Sequence, residues 1–105
     1  MISDQFLTRI KKAIIEKMGE NRIKGVFLFG SESRSISDER SDIDILVLIK
    51  GPVRLASDLQ EVISSTYPIQ LEINRFLHFT VADSKEYDSG AFFLYRAIKK
   101  EGIAV

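Results

Sequence analysis

Residues 23–49 read IKGVFLFGSESRSISDERSDIDILVLI, and this segment sets the architecture expected of the chain. Apolar, β-prone residues stand at both of its ends, and a polar, turn-rich stretch separates them. Short apolar runs that are bounded by turn residues are typical of buried strands. We therefore predict a strand over Val26–Phe29 and a second strand over residues 42–49, joined by a polar loop in which a short helical turn could begin at Ser31.

Helices are predicted on both sides of this segment. Apolar residues recur at helical spacing over residues 4–18, where Ser3 is suited to cap the helix and Gly19 to end it. A second helix is predicted after the second strand, and its apolar residues share one face: Leu55, Leu59, Val62 and Ile63.

The remaining third of the chain is predicted to add a strand and a closing helix. Pro68 opens the predicted third strand, which runs to Phe76, and residues 77–87 are ambiguous. The last helix is predicted over about residues 88–100, and residues 103–105 are suited to a short edge strand. The aromatic residues of this helix are interpreted as core residues, with the alternative that some of them form an interface: Phe92, Phe93 and Tyr95.

We predict one domain, residues 1–105, of the α/β (α+β) class, with a small mixed β-sheet backed by helices. The 105 residues include no cysteine, which excludes a disulfide scaffold, a cysteine-based zinc site and a thiol nucleophile. Fifteen Lys and Arg balance 15 Asp and Glu, so net charge gives no attraction to nucleic acid or anionic membrane. No apolar run approaches the roughly 20 residues that cross a bilayer, and we expect a cytoplasmic protein.

Two carboxylates stand at the start of the second predicted strand. Side chains i and i+2 of a strand project to the same side, so Asp42 and Asp44 crowd together while Ile43 and Ile45 point into the core. Neighbouring carboxylates repel each other unless a positive charge lies between them. Since Mg²⁺ prefers oxygen ligands, we predict that this pair binds Mg²⁺.

Phosphate-binding groups are predicted at the end of the first strand. Gly30 lets the backbone approach a ligand closely. Free N–H groups at a helix start bind phosphate, the hydroxyl of Ser31 adds a donor, and Arg34 one turn further on could add a charge-assisted contact. If the two strands are neighbours, both halves face one site, and a nucleoside triphosphate with Mg²⁺ fits that site.

A third acid is expected on the third strand. Strand alternation places Glu72 among polar residues, opposite an apolar face, so it could ligate one metal ion and help to deprotonate an attacking hydroxyl. The rival acid Asp83 falls after the strand. The single histidine, His78, is interpreted as structural or merely exposed, because histidine metal sites need partners that this chain lacks.

The residues Gly30-Ser31 and Ser41-Asp42-Ile43-Asp44 together resemble the signature of the minimal nucleotidyltransferases in the DNA polymerase β-like superfamily. The match covers both identity and separation, and a weaker similarity extends over nearly the whole chain. The resemblance implies the polymerase β-like palm fold of nucleotidyltransferases and a two-metal nucleotidyl transfer.

The resemblance also implies a role for each motif residue. Asp42 and Asp44 would hold two Mg²⁺ ions, and Glu72 would complete the ion nearer the acceptor. Gly30 and Ser31 would cradle the β- and γ-phosphates of ATP. An acceptor hydroxyl would attack the α-phosphorus, and pyrophosphate would leave.

The same resemblance adds Ser41 to the nucleotide-binding residues and implies a protein partner. Small single-domain relatives are often antitoxins paired with a helical HEPN-type toxin, and some of them transfer AMP from ATP to a tyrosine of that toxin. We expect this chain to act in that way, as an antitoxin that modifies a HEPN-type toxin. Its base preference, the number of nucleotides transferred and homo-oligomer formation stay open.

Two departures from the family pattern keep other functions open. The second glycine of the family, five positions after the first, is Ser35 here, and the third acid, commonly Asp, is Glu72. One alternative is therefore a catalytically weak or inactive domain that acts by forming a complex. Another is an enzyme that modifies a small molecule, although such relatives generally carry an added acceptor domain.

Overall fold

The computed structural model describes residues 2–34 and 40–105, and it contains two helical layers on a four-stranded sheet. Along the chain the elements are α1 (Asp4–Met18), β1 (Ile23–Phe29), β2 (Ile43–Ile49), α2 (Leu55–Gln70), β3 (Leu77–Asp83), α3 (Ser84–Ser89), α4 (Phe93–Glu101) and β4 (Ile103–Ala104). The predicted departure at Ser35 lies outside the described residues.

The sheet has the strand order β3-β2-β1-β4 and is mixed, as predicted. β1 pairs antiparallel with β2 and with the short edge strand β4, whereas β2 pairs parallel with β3. A parallel pair needs a crossover connection, and α2 supplies it between β2 and β3. The central position of β2 explains why its residues are apolar on both faces beyond Asp44.

Strand alternation divides the apolar residues of β2 between two cores. Ile43 and Ile45 pack into the larger core, which α1 and α2 cover. Leu46 and Leu48 pack into a smaller core on the other face, against Tyr87 of α3 and residues of α4. Asp44 has the same parity as Leu46, so its side chain projects on the face of the smaller core, at the end of the sheet where β1 ends.

The first helix follows the sequence prediction closely. The Ser3 hydroxyl accepts a hydrogen bond from Phe6 N–H at 3.3 Å, and Gly19 ends the helix with its N–H donated to the Ile15 carbonyl. Four residues of its apolar stripe are buried in the larger core: Leu7, Ile10, Ile14 and Met18.

The predicted third strand over Pro68–Phe76 is wrong. α2 continues through Pro68 to Gln70, because the buried stripe that includes Val62 and Thr66 extends at helical spacing to Ile69. A proline this close to the end of a helix removes one backbone hydrogen bond but leaves that packing intact. The third strand begins instead at residue 77, within the stretch that the sequence left ambiguous.

The predicted single helix over residues 88–100 is also wrong. Gly90 adopts φ +69° and ends α3, so two shorter helices replace the predicted one. Phe92 and Phe93 are exposed, and Phe93 keeps 78% of its surface accessible, so their interpretation as core residues is wrong. Tyr95 does pack against the smaller core.

An ion pair between Arg22, which precedes β1, and Asp58 connects this end of the sheet to the first turn of α2. Arg22 donates two hydrogen bonds to the buried Asp58, at 3.2 and 3.1 Å, and the Arg54 N–H donates a third at 2.9 Å. Burial alone would raise the pKa of Asp58, but these hydrogen bonds together with the positive charges hold that pKa below its usual value. The folded state is therefore stabilised by the ionised form of Asp58.

Candidate active site

The two halves of the sequence motif meet where β1 ends and β2 begins. Phe29 and Asp44 are paired in the antiparallel register, so Gly30 follows directly beside the carboxylate of Asp44. Gly30 adopts φ +72°, and a Cβ at this position would lie 2.6 Å from Asp44 Oδ2. Glycine therefore meets two requirements here, since it takes the left-handed conformation and leaves room for the carboxylate.

Ser31 and Arg34 follow in a turn, with no regular helix assigned over residues 31–34. The Ser33 hydroxyl donates to the Gly30 carbonyl at 2.9 Å and closes this turn. The Arg34 guanidinium reaches Glu101 of α4 at only 3.8 Å, and both side chains are about half exposed. Such a pair is weak, so Arg34 can exchange Glu101 for an anionic ligand at little cost.

A cavity of about 240 Å³ opens beside the turn, on the face of the sheet that carries Asp44. Its walls come from the end of β1, the turn and the outer part of α4: Phe29, Gly30, Arg34, Leu94, Ala97, Ile98 and Glu101. The cavity thus combines apolar walls with one charged residue of each sign next to the predicted phosphate turn.

A buried ion pair ties the beginning of the motif loop to its end. The Glu32 carboxylate is fully buried and accepts hydrogen bonds from the Ile2 N–H and the Arg75 guanidinium. Arg75 also donates from Nε to the Ser41 carbonyl at 2.8 Å. Arg75 therefore positions the chain on both sides of the loop, immediately before Asp42. Sequence reasoning missed this pair, because the contact joins residues 43 positions apart.

His78 lies directly opposite Asp44 on the neighbouring strand. The parallel register pairs the two residues, and His78 Nδ1 is 2.9 Å from Asp44 Oδ1. Because an ionised carboxylate only accepts hydrogen bonds, Nδ1–H is the donor. The Phe76 ring stacks beside the imidazole, with centroids 6.3 Å apart. His78 is exposed, as the sequence analysis allows, and 54% of its side chain remains accessible. Its place beside Asp44 was not predicted, because the sequence analysis put the third strand too early in the chain.

The structure does not bring Glu72 to the two aspartates. Glu72 lies in the turn after α2, where its carboxylate accepts hydrogen bonds from Arg9 of α1, one of them at 3.2 Å. These hydrogen bonds hold the pKa of Glu72 below its usual value, and both side chains remain 48% exposed. In the described ranges, 2–34 and 40–105, no three Asp, Glu, His or Cys side chains are grouped closely enough to hold a metal ion.

The carboxylate ligands available at this site fit one metal ion better than the two Mg²⁺ ions that were expected. Mg²⁺ in nucleotide sites is commonly held by one or two carboxylates together with substrate phosphates. Asp42 is exposed and Asp44 lines the end of the sheet, so these two can serve in that way. A site with three carboxylates for two ions does not fit the described residues, because Glu72 pairs with Arg9 and no third carboxylate is grouped with Asp42 and Asp44.

The comparison with protein families identifies the family to which the chain belongs. Residues 11–103 match the family model described as polymerase beta, nucleotidyltransferase, and the chain belongs to that family. Members of the family usually use a nucleoside triphosphate and a divalent metal ion. The chain is therefore a nucleotidyltransferase domain in sequence as well as in architecture.

A solved structure supports the same fold. The chain is similar to a candidate nucleotidyltransferase from Sulfolobus solfataricus, whose crystal structure extends to 1.40 Å resolution. The TM-score is 0.59 at 23% identity, over 95% of this chain and 76% of that one. No curated protein gives a significant match. Over residues 2–34 and 40–105, none of the helices has the length and apolar character needed to cross a membrane.

Proposed function

We propose that the chain transfers AMP from ATP, bound with a divalent metal ion, to a hydroxyl group of a partner protein. The observation that carries this proposal is the contact between Gly30 and Asp44. It supports a single site for the predicted phosphate half and the predicted metal half of the motif, in a chain that belongs to the nucleotidyltransferase family.

Each of the site residues would have its own role in the reaction. Asp42 and Asp44 would hold the divalent ion, which neutralises charge on the phosphates and stabilises the transition state. The turn that starts at Gly30 offers backbone N–H groups and the Ser31 hydroxyl to the β- and γ-phosphates, and Arg34 offers a positive charge. The acceptor oxygen bonds to the α-phosphorus and releases its proton, while the bond to the bridging oxygen breaks and pyrophosphate leaves.

The strand order supports one side of the site for entry of the acceptor. In an in-line displacement, the attacking oxygen and the leaving group stand on opposite sides of the phosphorus. The phosphate turn belongs to β1, on one side of Asp44, and β3 lies on the other side. The acceptor hydroxyl therefore approaches from the side of His78 and Phe76.

An exposed apolar surface supports a protein as the acceptor. Phe92, Phe93 and Leu94 are exposed at the start of α4, and Leu94 also lines the cavity beside Gly30. Clustered exposed apolar residues mark contact surfaces in many proteins. Together with the resemblance to antitoxins, this surface supports a HEPN-type toxin as the partner that supplies the hydroxyl.

The test asks first whether the gene beside this one encodes a HEPN-type protein. It then measures transfer of label to that protein from ATP that is labelled on the α-phosphate. Wild type is expected to label the partner, whereas Asp44→Asn is not. Asp4→Asn, an identical change on the exposed start of α1, serves as the matched control and should label normally. Equal labelling by wild type and Asp44→Asn would refute the assignment.

One observation favours a second function, a domain that inhibits its partner by forming a complex without catalysis. The expected third carboxylate is missing from the described site, because Glu72 pairs with Arg9. Calorimetry separates the two functions. Binding of the partner without any binding of ATP and divalent metal would support the second function and exclude the first.

A further inference from the structure

β3 forms one edge of the sheet, and within residues 2–34 and 40–105 no strand pairs with its outer side. The opposite edge strand, β4, is only two residues long, whereas β3 has seven residues in an unbroken register with β2. Proteins usually protect a sheet edge with proline, lysine, a bulge or a very short strand. β3 has none of these features, so its edge is suited to pair with another strand.

The backbone groups of alternate residues of β3 point outward. The Phe76 carbonyl accepts a hydrogen bond from β2 at 2.8 Å, so the even-numbered residues of β3 bond to β2 in this parallel pair. The odd-numbered residues point away from β2, and accordingly Leu77 N–H donates to the side chain of Gln70, at 2.7 Å from Oε1. The N–H and C=O groups of Phe79 and Val81 are therefore available to another strand.

The side of α2 next to this edge carries no charge. We call it the α2 stripe, and its residues recur at spacings of three and four: Ala56, Leu59, Ile63 and Tyr67. Ile63 and Tyr67 are 47% and 55% exposed. Both charged residues of α2 lie elsewhere, because Asp58 is bound to Arg22 and Glu61 lines a cavity beside that arginine. Exposed helix faces normally carry charged residues, so the α2 stripe fits an uncharged partner surface.

A second copy of β3 fits this edge when it pairs antiparallel about Thr80. Phe79 then lies opposite Val81 of the second copy, and each such pair exchanges two backbone hydrogen bonds. Thr80 lies opposite its own counterpart, a pairing in which the two hydroxyl groups can hydrogen-bond. His78 lies opposite Ala82, so no two like charges face each other across the pair.

The same symmetry brings the two α2 stripes together. α2 connects two parallel strands, so it runs opposite to β3, and Gln70 contacts the start of β3. Ile63 precedes Gln70 by about 10.5 Å of helix, and Thr80 follows the start of β3 by about 10 Å of strand. Ile63 therefore lies level with Thr80, on the symmetry axis. The edge and the helix form a side of about 23 by 20 Å, or roughly 1,000 Å² for two copies, which is the lower end for a specific interface.

We propose that the chain forms a symmetric homodimer in which β3 pairs antiparallel with β3 of a second copy and the two α2 stripes pack against each other. The two four-stranded sheets then become one continuous sheet. Because the symmetry axis is perpendicular to the sheet, both copies of Asp44 face the same side of the dimer. The inference is independent of the proposed function, since that reaction uses neither the outer edge of β3 nor the α2 stripe.

The test measures self-association of the full chain and the hydrogen exchange of single amides. Analytical ultracentrifugation should show a monomer–dimer equilibrium with a dissociation constant on the order of micromolar. The amides of Phe79 and Val81 should exchange about fivefold more slowly at ten times that constant than in dilute protein. The amides of Thr80 and Ala82 bond to β2 in both states and serve as the internal control.

Four variants locate the contact. Ile63→Glu would bury two carboxylates at the axis and should weaken the dimer at least about tenfold. Thr80→Lys would set two lysines opposite each other and should also weaken it. Ser64→Glu, at the next and exposed position of α2, and Phe93→Glu, on the exposed surface of α4, should leave the dissociation constant unchanged.

Several results would overturn the proposal. One is a monomer at every concentration, and another is exchange at Phe79 and Val81 that does not depend on concentration. A dimer that survives Thr80→Lys, or that Phe93→Glu dissociates, would place the contact elsewhere. If Ile63→Glu does not fold, Thr80→Lys and the exchange rates of wild type still decide, and binding of ATP and metal tests the proposed function separately.

Discussion

Substituting Gly30 by alanine tests the close approach of Gly30 to Asp44 on which the proposed active site depends. The first cost is conformational, because an L-residue in the left-handed region costs about 1–2 kcal/mol, and Gly30 has φ +72°. The second cost is local. The new Cβ would lie 2.6 Å from Asp44 Oδ2, so the carboxylate must retreat to the 3.4 Å or more of ordinary contact.

Gly90→Ala is the matched control for this substitution. Gly90 has nearly the same backbone angle, φ +69°, but a Cβ there would meet Arg96 Cγ at an ordinary 3.5 Å. Both variants should therefore lose about 1–2 kcal/mol of unfolding free energy through the backbone. Only Gly30→Ala should displace the carboxylate of Asp44.

The two variants should therefore differ in function far more than in stability. Displacing a catalytic group by about 1 Å can reduce a rate by about 10²-fold, so nucleotidyl transfer by Gly30→Ala should fall by about that factor relative to Gly90→Ala. Urea unfolding measures the free energies, and calorimetry with ATP and a divalent metal measures binding. Equal transfer and equal binding by the two variants would show that the contact between Gly30 and Asp44 has no part in the site.

Three further substitutions test other contacts. Glu72→Gln removes the ion pair with Arg9 and should leave metal and ATP binding unchanged in calorimetry; a loss like that of an aspartate ligand would return Glu72 to the metal site. Asp58→Asn should lower the unfolding free energy by about 1–3 kcal/mol at pH 7. Folding lowers the pKa of Asp58, so its stabilisation is present above the unfolded pKa of about 3.9 and is lost as the pH falls through the folded pKa. The unfolding free energies of the variant and of wild type, measured with urea, should therefore converge in acid. A difference that stays constant with pH would contradict this. Arg75→Met leaves the buried Glu32 carboxylate without its guanidinium and should cost about 3–5 kcal/mol, part of which the added change Glu32→Gln should restore in the same assay.

Local sequence patterns were enough to predict α1, β1 and β2. Each of these elements has a signal in neighbouring residues. The signals are the apolar stripe of α1 with its Ser3 cap, the apolar run of β1 and the alternation of residues at the start of β2. The family motif was equally readable, and the model match over residues 11–103 confirms the nucleotidyltransferase assignment.

The errors arose where packing overrode a local signal. Pro68 marked a boundary in the sequence, yet α2 continues past it because Ile69 completes a buried stripe. Moving the third strand to residues 77–83 removed Glu72 from the sheet and put His78 opposite Asp44. A single shift in one element therefore changed which side chain lies opposite Asp44.

The amino-acid sequence determined the class of protein, the glycine turn and the pair of aspartates, because each depends on residues close together in the chain. The tertiary structure alone decided which side chain faces Asp44 and which arginine reaches Glu32. Those contacts depend on the register between strands and on packing across tens of residues, and no local pattern encodes them.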